Sequence, residues 1–306
     1  MEPEANPAMR APHVARRSPA ASPSSASPAT HALRPTPHGL RPTPLALRPS
    51  ALVFVGLVAA SVAGLLAAPW ALDAKLYAVV HGLCAQRPSH SYALGGTRLP
   101  FDARMTGIYG GFLVAAACLL ARGGWRAARA PAPALVAALA LFVVALGVDG
   151  VNSTLQDFGL PYLYQPDNRL RLATGLLTGT ALAVLLLAML NNVLWARVVD
   201  APPLRGWRDF GALLAAQALL YLAIVSGWGL LYRPVALALV AGGVTVVLTL
   251  ALLLLVLLYG RENRFERLPD LAGFATAALL LSYATLGLIA AARFSLEQLL
   301  GPNPLT

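Results

Sequence analysis

From Ala51 onward the sequence repeats one pattern, an apolar run of about 18 to 25 residues closed by a short polar break that carries Arg, Pro or Gly. A helical run of that length rises about 27 to 38 Å at 1.5 Å per residue, enough to cross a hydrocarbon core of about 30 Å. Seven such runs are read, at about 51 to 72, 104 to 121, 133 to 150, 170 to 192, 210 to 232, 234 to 258 and 271 to 292. Only Arg233 and Pro234 divide the fifth from the sixth, and a turn is expected there. The expected fold is therefore all-α, a polytopic integral membrane bundle of about seven transmembrane helices. A short helix is expected over 73 to 82, along the surface or extending the first span.

Composition supports a bilayer setting. Hydrophobic residues make up 58% of the chain and charged residues 12%, against about 45 to 50% and 25% in soluble domains. The net charge of +10 comes from arginines spread over a tail and short loops, so it points to membrane flanks rather than to nucleic acid. Residues 1 to 50 form the first region, rich in Pro, Ala, Ser and Arg, with LRPT at Leu33 and Leu40 and LRPS at Leu47. Such a segment buries too little apolar surface to offset its ordering entropy and is expected to be disordered. Residues 51 to 306 form the second region, the transmembrane helical domain.

Basic residues also set the expected sidedness. The tail and the loops at 122 to 132, 193 to 209 and 259 to 270 hold 15 of the 23 Lys and Arg. The other eight are Lys75, Arg87, Arg98, Arg104, Arg169, Arg171, Arg233 and Arg293. This bias predicts a cytoplasmic N-terminus and an outside C-terminus. The loops at 73 to 103 and 150 to 169 would then share the outer side.

Two helix starts echo one another there. Arg104-Met-Thr-Gly-Ile-Tyr-Gly-Gly111 opens the second span and Arg171-Leu-Ala-Thr-Gly-Leu-Leu-Thr-Gly179 the fourth. Gly107, Gly111, Gly175 and Gly179 are small residues at the spacing that lets membrane helices approach closely. The arginines then sit beside positive helix ends, where a cation is disfavoured without a nearby anion. Either an internal carboxylate supplies it, with Asp149 the expected structural partner, or the two starts form an anion pocket. In the second case Arg104, Arg169 and Arg171 would supply charge and Thr106, Thr174 and Asn152 hydrogen bonds.

The loop between the first two spans also holds His81, Cys84, His90 and Asp102, donors of the kinds that zinc takes. Their H-x2-C-x5-H-x11-D spacing matches no standard zinc motif, and ordinary loop hydrogen bonding is the alternative. Cys118 lies about 21 Å along the helix from Arg104, too deep to join Cys84 in a disulfide.

The segments CAQRPSHS, LPFDARMTGIYGGF, DG-VN and LRLATG resemble a family of uncharacterised multi-pass membrane proteins, domain of unknown function 2085, over roughly 75 to 185. Cys84, Pro88, Ser91, Arg104, Thr106, Gly107 and Tyr109 agree with its pattern. Ala85 stands where the family has a histidine, and Asp102 and Met105 where it has a pair of cysteines. The resemblance implies a membrane location and no established activity. The missing cysteines weaken a thiolate metal site, while the retained Arg and Thr-Gly favour the anion pocket.

Several functions are disfavoured outright. A retinal protein needs a lysine in a late span, and the only lysine is Lys75. Haem or zinc held between helices needs histidines within the spans, and the spans hold none. Gln217, Asn191, Asn192 and Ser282 are too scattered to draw an ion path. The first expectation is a lipid-embedded protein with an outward polar site that binds, or moves, an anionic lipid headgroup or small anion. The alternatives are a metal-dependent membrane enzyme acting on lipid at the outer face and a structural or partner-binding protein. No catalytic residue and no oligomeric state follow from the sequence.

Overall fold

The computed structural model describes residues 49 to 300; the Pro/Ala/Arg-rich tail, expected to be disordered, lies outside them. Eight α-helices follow in order: α1 (Pro49–Ala67), α2 (Leu72–Val79), α3 (Ala103–Ala121), α4 (Pro133–Asp157), α5 (Asn168–Leu194), α6 (Trp207–Val225), α7 (Tyr232–Leu258) and α8 (Ala272–Leu300). Seven stretches among the described residues are long and apolar enough to cross a bilayer. These are all the helices except α2, whose eight residues are too few.

The bundle is built outward from α3 and α5, whose mutual contact is the most extensive of any helix pair. A Cβ on Gly107 would stand 2.5 Å from the Leu172 carbonyl oxygen, and one on Gly111 2.6 Å from that of Leu176. Gly175 and Gly179 meet the carbonyls of Arg104 and Ile108 in return. With no side chain on either face the two backbones touch, so dispersion acts at its shortest range. Helices α4, α6 and α7 surround this pair, while α8 packs on α7 and α1 on α8. Peripheral α1 buries only Ala51, and outward residues such as Leu52, Val55, Leu141 and Leu254 are exposed, as lipid contact requires.

Two boundaries differ from the sequence expectation. Helix α4 runs on from 150 to Asp157, because Asp149, Asn152 and Ser153 fall on one helical stripe that is buried and hydrogen-bonded. Helix α6 stops at Val225, and the turn occupies Ser226 to Leu231 with Gly227 at φ +67°. Pro234 instead lies in the first turn of α7, where its missing N–H has no helical partner to lose.

One end of the bundle carries a small β-hairpin, β1 (Ala93–Leu94) and β2 (Thr97–Arg98), closed by Gly95 and Gly96 at φ +57° and +81°. Two successive positive φ values define the tight hairpin turn that matches strand twist. Buried Leu94, Leu99 and Phe101 anchor it, and the Gly95 amide donates to the Gly227 carbonyl at 2.9 Å. At the opposite end the Arg126 guanidinium lies 4.8 Å from the centre of the Trp195 ring, which also meets Trp125. Polar residues of the span interiors turn to backbone: Asn191 to the carbonyls of Gly124 and Ala127, Gln217 to Gly111, Ser282 to Ala278.

Candidate functional site

Charge collects at the hairpin end in two clusters. The first sits between the outer turns of α3, α4 and α5. Arg104 Nη2 donates to Asp149 Oδ2 at 2.5 Å, to the Asp149 carbonyl at 3.3 Å and to Ser153 Oγ at 3.1 Å. Tyr164 Oη donates to Asp149 Oδ1 at 3.2 Å, so both carboxylate oxygens are engaged. Desolvation, then the charge of Asp149, holds the Tyr164 phenol above its usual range. Asn152 closes the cluster from below, accepting from the amides of Leu163 and Tyr164 and donating to the Tyr164 carbonyl.

Other members of the set read from the sequence are spent on local structure. Thr106 donates to the Phe101 carbonyl, and Thr174 to the carbonyls of Leu170 and Arg171 in its own helix. Arg169 is exposed. Arg171 is 6% exposed, and its one side-chain hydrogen bond among the described residues goes to neutral Asn168, at 2.9 Å. Its foremost charged neighbour is Arg104, followed by Asp149, Asp157 and Asp102. Arg104 Nε is buried without a hydrogen-bond partner among the described residues. The fold thus brings Arg104, Arg171 and Asp149 together, while the hydroxyls and amide serve as frame.

The quartet His81, Cys84, His90 and Asp102 does not converge. Among the described residues no three His, Cys, Asp or Glu side chains are placed to hold a metal ion. Asp102 caps α3 by accepting from the Met105 amide, and Cys84 Sγ accepts from the amides of Gln86 and Asp102 at 3.3 Å each. Burial, then the charge of Asp102, pushes the Cys84 thiol up to about 12, so it is no thiolate at neutral pH. His90 lies apart, among Arg171, Asp157 and Arg87, and desolvation lowers its pKa. The backbone turns of the loop send the two histidines to different clusters.

His81 belongs to the second cluster, which the sequence did not reveal. A cleft of about 920 Å³ opens between α2, the 81–98 segment and the last turns of α8. Along one wall His81 stacks on Phe294 at 4.1 Å. Its Nδ1 meets Gln86 Oε1 at 3.1 Å and its Nε2 meets Glu297 Oε2 at 3.3 Å. Gln86 Nε2 donates to the carbonyls of Tyr77 and Pro100, which turns its oxygen toward His81 and makes Nδ1 the donor. Gln86 holds this position at φ 55°, a conformation that costs a non-glycine residue about 1 kcal/mol or more.

Arg293 ties α8 to the same turn. It donates Nε to Glu297 Oε1 at 2.7 Å, Nη1 to the carbonyls of His81 and Cys84, and Nη2 to the Ala85 carbonyl at 2.9 Å. In sequence Arg293 is one more flanking basic residue; the i, i+4 spacing of Arg293 and Glu297 was the available signal.

Seven apolar spans, two of them in backbone-to-backbone contact, with polar clusters at the loop ends, define a multi-pass integral membrane protein. Residues 84 to 185 match the model of domain of unknown function 2085, a family described as predicted membrane protein. The match takes in about a third of the chain, covering the hairpin, α3, α4 and most of α5. No curated protein and no solved structure gives a significant match.

Proposed function

We propose that this membrane protein binds an anionic lipid headgroup or small anion at the hairpin end, between the first turns of α3 and α5. The carrying observation is Arg171, nearly buried, hydrogen-bonded to a neutral amide and neighboured first by another arginine. Both guanidinium groups stand at helix N-termini, which add positive potential of their own. A buried cation in that setting favours an anion, and Asp149 already divides its two oxygens between Arg104 and Tyr164. Arg104 and Arg171 supply the charge in this reading and exposed Arg169 the rim; Thr106, Thr174 and Asn152 hold the frame. The hairpin end faces outward and the N-terminus lies in the cytoplasm, as the distribution of basic residues favours.

Native mass spectrometry of the detergent-purified chain with added phosphatidylglycerol tests the site, with inorganic phosphate as the headgroup-free probe. The expected result is retention that falls about tenfold or more in Arg171→Gln, the loss of one charge-assisted contact. No retention of either probe, or equal retention by Arg171→Gln, would leave the purely structural reading that the 2.5 Å Arg104–Asp149 pair favours. Sidedness is checked by an impermeant maleimide on Ser89→Cys in a chain with Cys84 and Cys118 replaced. Labelling of intact cells is expected, and protection until lysis would reverse the orientation.

A further inference from the structure

The cleft beside α8 shares no residue with the arginine site and is a second place where the hairpin end can take a ligand. Its Arg293 and Glu297 neutralise one another at 2.7 Å, and the remaining Glu297 oxygen faces His81. Two charges are left over. Arg98 on β2 and Asp73 in the first turn of α2 both line the cleft, both are exposed, and neither makes an ion pair or side-chain hydrogen bond among the described residues. Tyr77 stands one helical turn beyond Asp73 on the same face, and Arg98 is its foremost charged neighbour. The cleft therefore presents both a plus and a minus charge on its lining, over a wall of Ala74, Ala78 and Phe294.

Position specifies what meets that dipole. Helix α8 has 29 residues, about 43 Å against a hydrocarbon core of about 30 Å, so its charged last turns rise into the headgroup layer. A ligand at that depth carries an apolar part beside its charges, matching the apolar wall. We propose that the cleft binds a phosphate–ammonium zwitterion, with the phosphate on Arg98 and the primary ammonium on Asp73. A phosphatidylethanolamine headgroup and free phosphoethanolamine share this chemistry.

The test is native mass spectrometry of the full chain with phosphatidylethanolamine and phosphatidylglycerol of equal acyl chains, beside calorimetry with free phosphoethanolamine. Phosphatidylethanolamine is expected to be retained over phosphatidylglycerol, and to be lost about tenfold in Arg98→Gln and in Asp73→Asn. Both substitutions are at exposed positions, and unchanged melting of each variant shows that folding is not the cause. Arg171→Gln, which disables the proposed anion site, should leave phosphatidylethanolamine retention intact. Binding of free phosphoethanolamine with the same dependence on Arg98 and Asp73 would assign the cleft to a soluble ligand, and its absence beside retained lipid would assign it to the headgroup. Equal retention of the two lipids, insensitivity to Arg98→Gln and Asp73→Asn, or loss through Arg171→Gln alone would overturn the proposal.

Discussion

The two charged clusters at the hairpin end are built from the same residue types and settle their charge in opposite ways. Around Arg104 the groups are packed between three spans, and Asp149, 1% exposed, has both oxygens engaged. Around Arg293 the pairs line an open cleft, and two further charges, Asp73 and Arg98, line it with no ion pair among the described residues. The difference follows from what lies beneath each cluster. The Arg104 cluster stands on the glycine contact of α3 and α5, which leaves no space between the helices. The cleft lies where short α2 and the end of α8 meet loop backbone, and Arg293 closes the contact on carbonyls rather than by interdigitated side chains. Half-buried Arg104 is answered from within the bundle by Asp149, whereas Arg171 beside it and the charges over the loop are left to take a partner from outside.

The sharpest way to break this contrast is Asp149→Ala. It leaves Arg104, whose side chain is 25% exposed, without its carboxylate, and a loss of about 3 kcal/mol is expected in reversible unfolding from mixed micelles. The double variant Arg104→Gln with Asp149→Asn should recover much of it, since no uncompensated charge remains. Gly175→Ala comes next: its Cβ meets backbone, which cannot turn aside, so a cost of about 3 kcal/mol is expected together with weaker anion retention as α3 and α5 part. On the cleft side Gln86→Ala removes the acceptor of His81 Nδ1 and the donor to two carbonyls. It should cost about 2 kcal/mol, leaving retention at the Arg171 site unchanged. The half-exposed Arg87–Asp157 pair, at 2.7 Å, lies on the rim, and Asp157→Asn should cost at most about 1 kcal/mol, less at high salt.

The smallest effect at neutral pH belongs to Cys84. Its thiol ionises near 9 when unfolded and at about 12 when folded, so folding favours the protonated form. The sign follows by linkage: stability is unaffected below pH 9 and declines as pH rises from about 9 toward 12, where the unfolded chain loses the proton first. Cys84→Ser should flatten that alkaline decline in melting temperature. Alkylation of Cys84 should stay slow from pH 6 to 8 in the folded protein and become fast on unfolding. Fast labelling of the native chain would show that the turn opens.

Much of the architecture could be read in the chain because its causes are local. Run length and composition mark the spans, since a helix in lipid must be long enough and must satisfy its own backbone. The repeated Thr-Gly-x-x-x-Gly marks α3 and α5 as a close pair, since absent side chains are themselves a sequence feature. The Gly95-Gly96 pair carries a hairpin signal of the same local kind, since two successive glycines suit two successive positive φ values. Boundaries were harder: α4 runs past Gly150 because its polar stripe finds partners in α3 and in the 158–167 segment, which no local pattern records.

What only the tertiary structure decided is which charges meet. His81 and His90 lie nine residues apart in one loop yet join different clusters, because a turn stabilised by Gln86 and Cys84 separates them. His81 takes its partners from Arg293, Phe294 and Glu297, more than 200 residues away. Ligand spacing along a loop says little about convergence when each donor can find a nearer hydrogen bond. Sequence determined that this chain is a membrane bundle with cations at two helix starts; the packing of helix ends determined which charges of the hairpin end are answered internally and which line a cleft.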